Sequence, residues 1–464
     1  MPAKYHISAR PTPPRIRPEG KLGIVDWRED CSGCHNCVKK GCVYGLYRDE
    51  ADALHEQRNY LDYIYQCKGC LTCVQNCTKN ILTRVVNPEY ERLGDAYYTP
   101  DIILTTWFQA ETGSVPVSGC GYGGPFSGSG FDSIWTDMSE IVRPTRDGIH
   151  GREYINTGVD IGRKRNRLSF NGTELVDPPL PLVQSPMPIL FENIQPHWRR
   201  GAVVGSIIKA ASKLGLYSIV SDDRSAQAPA GKLIVPLLGA SAKAAGPRHA
   251  DASMIIIEDS EGVLDAVSGL KKENPGRVVV VRIMAGEHAA QRTLWLTNHG
   301  MEAINIVFDK HGMELPPAKP RHARDALRET HKLLVNEGVR DEVTIISTGG
   351  IALPEHMAKA IICGADLVTV DIPLIVAMEC RLCGECERGE QCPIALETVE
   401  EDYAMQRVVN LMGAWHSQLL EMLGAMGIRE ARRLRGEVGR CMFFEDLERA
   451  AFGRIFGKRK ETYS

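Results

Sequence analysis

Twelve of the fifteen cysteines in this 464-residue chain stand in three tight runs. Cys31, Cys34, Cys37 and Cys42 lie in C-S-G-C-H-N-C-V-K-K-G-C, and Cys67, Cys70, Cys73 and Cys77 in C-K-G-C-L-T-C-V-Q-N-C. Cys380, Cys383, Cys386 and Cys392 lie in C-R-L-C-G-E-C-E-R-G-E-Q-C-P. A C-x2-C-x2-C run wraps three thiolates around one corner of an iron–sulfur cubane, and a more distant cysteine completes the set. Each run therefore predicts a 4Fe–4S cluster, and three clusters in one chain imply electron transfer. Structural zinc or disulfides draw on the same residue type, but the repeated two-residue spacing favours the cubane. Only Cys120, Cys363 and Cys441 fall outside the runs. Cys120 is read as an inert thiol in a glycine-rich loop, and the other two as packed side chains.

The rest of the composition bounds the setting. A net charge of −3 points to neither nucleic acid nor an anionic membrane as partner. No stretch approaches eighteen uninterrupted apolar residues, so no membrane span is expected. The N-terminus lacks the apolar run of a signal peptide. Clustered thiols favour metal over disulfides in a reducing compartment, so a cytoplasmic location is expected. Residues 1–20 are proline-rich and read as an extended arm.

The elements that must position these cysteines follow from hydrophobic periodicity. Residues 21–86 carry the first two runs and form one small unit. Residues 87–179 are rich in Gly, Pro and polar side chains and read as an irregular connection, with a glycine-rich loop at 117–130. From residue 180 short apolar strands alternate with helices. Strands are expected at Leu180–Val183, Leu216–Val220, Leu233–Leu237, Met254–Ile257, Val278–Ile283, Ala303–Phe308, Thr344–Ser347 and Leu367–Val370. Helices are expected at Gly201–Leu214, Gly262–Lys272, Ala289–Asn298, Arg321–Asn336 and Pro354–Cys363. Short, continuously apolar strands flanked by helices predict a parallel sheet covered on both faces. Eight of them suggest an α/β fold, a (β/α)8 barrel over residues 180–379, with its chemistry on the loops after the strands. The third cysteine run occupies residues 380–395, and a helical tail fills 396–464. Glu258, Asp259 and Asp309 would ring the mouth, with His311 and the upstream His150 as further polar candidates.

The first two runs resemble a two-cluster ferredoxin, in which the fourth cysteine of each run crosses to the other cluster. That resemblance implies one cluster on Cys31, Cys34, Cys37 and Cys77, and another on Cys67, Cys70, Cys73 and Cys42. Further on, Ile346-Ser-Thr-Gly-Gly-Ile351, Ile362-Cys-Gly-Ala-Asp-Leu-Val-Thr-Val370 and the third run resemble the FMN-binding barrel of the glutamate synthase family. Its archaeal-type members carry a ferredoxin-like head. The family's cysteine loop is spaced C-x5-C-x4-C around a 3Fe–4S centre. Here Cys383 is an additional thiolate, so a 4Fe–4S centre is expected, with 3Fe–4S the alternative. The resemblance implies FMN, with Ser185, Pro186 and Met187 as flavin wall, Gly349 and Gly350 at the phosphate, and Arg282 near the ring.

Several family motifs are altered. The acidic G-E-G-G loop becomes Ser221-Asp-Asp-Arg224, the flavin lysine and G-Q-G turn give way to Ile255-Ile-Ile-Glu-Asp-Ser260, D-G-G-T-G reads Asp309-Lys-His-Gly-Met313, and G-T-G-P-M reads Val370-Asp-Ile-Pro-Leu374. No catalytic residue is assigned. The resemblance implies an iron–sulfur oxidoreductase acting on CH–NH2 donors, with electrons passing from the head through the third cluster toward a barrel-bound flavin. The alternative is a noncatalytic electron-transfer and scaffold subunit whose barrel has lost flavin and glutamate synthesis. Other redox subunits, with a ferredoxin or flavoprotein donor, are the expected partners. With no cysteine before Cys31, ammonia supply would fall to a separate amidotransferase subunit.

Overall fold

The structure, a computed structural model, describes residues 5–16, 22–26, 34, 36, 41, 71–86, 88–115, 128, 130–136, 154–165, 168–176, 180–221, 231–240, 242, 244, 246, 249–315, 320–437, 439, 441–451 and 453–456. Eight parallel strands close into a barrel. They are β1 (Ile189–Phe191), β2 (Ser218–Ser221), β3 (Ile234–Leu238), β4 (Met254–Glu258), β5 (Val278–Met284), β6 (Ala303–Val307), β7 (Thr344–Thr348) and β8 (Leu367–Val370). Each pairs with its sequence neighbours, and β8 returns to β1 through Val368 opposite Ile189 and Val370 opposite Phe191. Runs such as Met254-Ile-Ile-Ile and Val278-Val-Val-Val are apolar throughout because both faces are covered. Met254, Ile256, Val278, Val280 and Ile346 fill the lumen, while Ile255, Ile257, Val279, Val281 and Ile345 pack outward under the helices.

Helices cover the outside. They are α1 (Pro100–Thr112), α2 (Val203–Leu214), α3 (Val263–Glu273), α4 (Ala289–Asn298), α5 (Ala323–Asn336), α6 (Pro354–Ile362), α7 (Ile372–Ala377) and α8 (Glu401–Ala425). At the end of α2 the backbone turns left-handed at Gly215 (φ 69°), whose N–H caps the last turn. A side chain there would clash with its own backbone.

The first strand departs from expectation. Leu182–Ser185 does not enter the barrel; it pairs antiparallel with Val159–Gly162. Its residues alternate exposed and buried, the pattern of a one-sided strand. Val159, Ile161 and Val183 join the lumen cluster, and Gly162 exchanges hydrogen bonds with Thr344 at the start of β7. The hairpin therefore plugs the N-terminal end of the barrel. Pro186 and Pro188 interrupt the run, and the Ser185 hydroxyl bonds the carbonyl of Met187 at 2.7 Å, turning the chain before β1 begins.

The stretch expected to be irregular contains α1. Pro100 at its first turn and Gly113 (φ 70°) after its end are the ordinary start and stop signals of a helix. Ile102, Ile103, Leu104, Trp107 and Ala110 are buried against α7 and α8. The glycine-rich loop at 117–130 lies almost wholly outside the described residues. In the head, Leu22–Asp26 pairs antiparallel with Leu82–Val86.

Helix α8 gathers the chain's distant parts. Fully buried Arg407 donates to the carbonyls of Ala377 at 2.5 Å, Thr12 at 3.0 Å and Trp107 at 3.3 Å. It thereby joins α7, the N-terminal arm and α1. Three residues on, the Asn410 side chain accepts from the Arg10 N–H through Oδ1 and donates to the Arg10 carbonyl through Nδ2. Replacing Arg407→Leu leaves three carbonyls without their charged donor. The expected loss is roughly 3–5 kcal/mol, measured as a shift of the chemical denaturation midpoint.

Candidate functional site

At the C-terminal mouth of the barrel the lumen turns from apolar to polar. Arg282 on β5 donates through Nη2 to both oxygens of Glu192 at 2.9 and 2.8 Å, and through Nε to Asn305 Oδ1 at 2.7 Å. Asn305 on β6 donates to Thr348 Oγ1 at 2.8 Å. Thr348 on β7 lies 3.3 Å from Glu192 Oε2 and accepts from Thr369 Oγ1 on β8 at 2.8 Å. The group is buried, so each charge relies on these partners instead of water. Beside it, burial, with the Glu192 carboxylate adding to the effect, pushes the Asp371 carboxyl up to about 6.

This network occupies the position expected for a flavin ring, and Arg282 is committed to Glu192. At the expected phosphate position Gly349 and Gly350 form a tight turn. Gly349 (φ 100°) and Gly350 (φ 73°) pack so tightly that a Cβ on them would lie 2.4 Å from the Asp309 carbonyl oxygen and 2.6 Å from Gly312 Cα. Tyr97 covers the same turn, its hydroxyl donating to the Gly350 carbonyl at 2.6 Å. Ser185, Pro186 and Met187 precede β1 and lie at the opposite, N-terminal end, their polar groups spent on the turn and on Thr157. The residues named for FMN are thus split between the two ends of the barrel, and at the mouth Arg282 is bonded to Glu192 and Asn305.

Open space lies to one side of the mouth, beside the third cysteine run. Cys380, Cys383, Cys386 and Cys392 border one cleft of about 830 Å³, part of it open to solvent. The cleft is shared with His197, Trp198 and Arg200 from the loop after β1, Lys310 after β6, and Ile372 after β8. None of the four cysteines is in a disulfide. Burial, with the neighbouring Cys386, Cys383 and Cys392 adding to it, raises the Cys380 thiol, and burial likewise raises Cys386. The loop turns through left-handed Glu379 (φ 76°) and Leu382 (φ 51°), and the Leu382 N–H points at Cys380 Sγ at 3.5 Å.

Among the described residues no three His, Cys, Asp or Glu converge into a metal-binding group, these cysteines included. The donor set nevertheless fits an iron–sulfur cluster. The four cysteines border one cleft, the Leu382 amide is aimed at Cys380 Sγ, and Arg200 and Lys310 line the same space with positive charge. The Tyr98 hydroxyl and His197 Nε2 on the cleft's border are buried without hydrogen-bond partners.

The other expected site residues are dispersed. Cys34, Cys73 and Cys77 are described, with Cys34 Sγ 3.6 Å from Thr78 Oγ1, whereas Cys31, Cys37, Cys42, Cys67 and Cys70 lie outside the described residues. So do Cys120 and His150. Asp259 pairs with Arg292 at 2.7 Å, Asp309 accepts two N–H groups of its own loop, and His311 pairs with Asp95 at 2.7 Å. Glu258 is exposed, Cys363 is buried, and Cys441 is partly buried in a strand paired with Ile134–Thr136. Glu192, Asn305, Thr348, Thr369, Tyr97, Arg200 and Lys310 were not anticipated. A polar residue inside an apolar strand, as in Ala303-Ile-Asn-Ile-Val307, was the available signal for the lumen network.

The conserved region of glutamate synthase matches residues 242–429 of this chain. An archaeal glutamate synthase (NADPH) of Archaeoglobus fulgidus is 26% identical over 93% of this chain and 96% of its own length. An archaeal-type glutamate synthase (NADPH) of Dehalococcoides mccartyi is 25% identical over 89% and 93%. Among solved structures, a mandelate oxidase mutant with a monooxide FMN adduct superposes with a TM-score of 0.42 at 12% identity, covering 74% of this chain and 91% of that one.

The Asp371 carboxyl, higher in the folded chain than its unfolded value of about 3.9, favours folding at low pH and loses that contribution as pH rises from about 4 through about 6. Asp371→Asn removes the ionisation. Its stability relative to the parent should therefore rise by about 1–3 kcal/mol across that window. Chemical denaturation midpoints at pH 5 and 7.5 check this; a gap that does not widen with pH contradicts the assignment.

Proposed function

We propose that this chain, a member of the glutamate synthase family, is an iron–sulfur oxidoreductase. In this reading Cys380, Cys383, Cys386 and Cys392 hold a 4Fe–4S cluster at the rim of the barrel mouth. The observation that carries it is the common cleft of those four cysteines with the loops after β1, β6 and β8. Bound there, the cluster would supply single-electron transfer. Arg200 and Lys310 would offset the negative charge of four thiolates, and the Leu382 amide would donate to Cys380. The head cysteines, Cys31, Cys34 and Cys37 with Cys77, and Cys67, Cys70 and Cys73 with Cys42, would hold the two clusters that exchange electrons with it.

Gly119, Gly121 and Gly124 have the G-x-G-x-x-G spacing, but no strand clearly precedes them in the sequence and no helix clearly follows, so no pyridine-nucleotide motif is read there. Electrons from a nicotinamide cofactor, which the names of the relatives mention, would arrive through a ferredoxin or flavoprotein subunit. FMN, which the family resemblance implies, would convert single electrons into pairs. The pairing of Arg282 with Glu192 and Asn305 favours the second reading on this point: an electron-relay and scaffold subunit without flavin or glutamate synthesis.

Iron, sulfide and released flavin, measured on one anaerobically purified sample, separate the readings. About twelve iron atoms per chain support three cubanes, and about eight remove the third. At twelve iron, about one FMN per chain with glutamate formed from 2-oxoglutarate and ammonia supports the flavoenzyme, and its absence supports the relay. Cys386→Ala should lower iron to about eight, or leave a 3Fe centre detectable by electron paramagnetic resonance (EPR).

A further inference from the structure

The cysteine loop is tied at both ends by one side chain from the far N-terminus. Residue 379 leaves α7 in the left-handed region, at φ 76°, although it is a glutamate. A non-glycine residue holds that conformation only where its surroundings determine it. Here the Glu379 carboxylate is buried and accepts from the Arg15 backbone N–H at 2.7 Å and from Arg15 Nε at 3.0 Å. Tyr403 on α8 places its hydroxyl 3.0 Å from the same carboxylate. The same guanidinium then donates through Nη2 to the carbonyl of Ile394 at 3.2 Å. Glu379 immediately precedes Cys380, and Ile394 follows Cys392 by two residues. A planar guanidinium with separate donors can span these acceptors; an ammonium cannot serve both with fixed geometry.

We propose that Arg15 is a positioning residue for the third cluster, an N-terminal strap that sets the distance between the two ends of the cysteine loop. The inference rests on the reading that Cys380, Cys383, Cys386 and Cys392 hold a cluster. The strap is itself fastened. The Thr12 N–H donates to the Glu111 carbonyl at 2.8 Å, Arg407 binds the Thr12 carbonyl, and Asn410 holds Arg10. Only five residues separate Ile16 from Leu22, where the head's first strand begins. Those six steps reach at most about 22 Å, so the strap also limits how far the head's first strand can stand from the loop.

The test uses the full chain, purified without oxygen, with iron and sulfide content, EPR of the reduced protein, third-cluster midpoint potential and cluster lifetime in air as readouts. Arg15→Ala should reduce iron from about twelve to about eight per chain and keep the signals of the head clusters. Arg15→Lys, which preserves charge and fold, should retain the third cluster with a shifted potential and a several-fold shorter lifetime in air. Should Arg15→Ala fail to fold, Arg15→Lys decides alone. Variants with twelve iron, parental potential and parental lifetime overturn the strap and leave the cluster assignment standing. A parent protein with only about eight iron overturns the cluster assignment, and the strap with it.

Discussion

A carboxylate and a guanidinium enclosed at one end of a barrel remain charged only if each satisfies the other, and Glu192 and Arg282 meet that condition with two contacts below 3 Å. Asn305, Thr348 and Thr369 complete the set, so five adjacent elements of the ring, from β5 through β8 to the end of β1, share one hydrogen-bonded layer. Such a pair adds little net stability once desolvation is counted, but it penalises any arrangement that separates its members. It therefore acts mainly on register, and it fills the volume over the barrel axis.

Closing the axis moves the usable space to the rim. The loop after β6 and Tyr97 lie over the Gly349–Gly350 turn, and the cysteine loop emerges just beyond β8 and the short helix α7. The cleft forms between that loop and the segments following β1 and β6, with cationic and aromatic side chains on its far wall. Behind it α8 acts as a splint. Through Arg407, Asn410 and Tyr403 it holds the N-terminal arm, α1 and the start of the cysteine loop in one packed unit.

Much of the barrel was legible before any coordinates. Seven of the eight strands lie within about two residues of where apolar runs place them, because a strand buried on both faces has no choice of composition. The first strand was placed too early, in Leu180–Val183, since Leu180-Pro-Leu-Val183 is as apolar as the short β1 that follows it. That displacement hid Glu192, which is recognisable as a mouth residue only once β1 is known to end at Phe191. Helix α1 was missed even though Pro100 and Gly113 mark its limits, because the composition of the surrounding stretch outweighed its local pattern.

The sequence by itself determined the barrel and the three cysteine runs, because strand periodicity and cysteine spacing are local properties of the chain. Tertiary structure alone decided which charges meet. Glu192 and Arg282 are 90 residues apart, and Arg15 and Glu379 are 364 apart. No local pattern ties such residues together. Closure of the ring and the packing of the arm on α8 bring them within hydrogen-bond reach, and the same closure pairs Arg282 with Glu192 and Asn305.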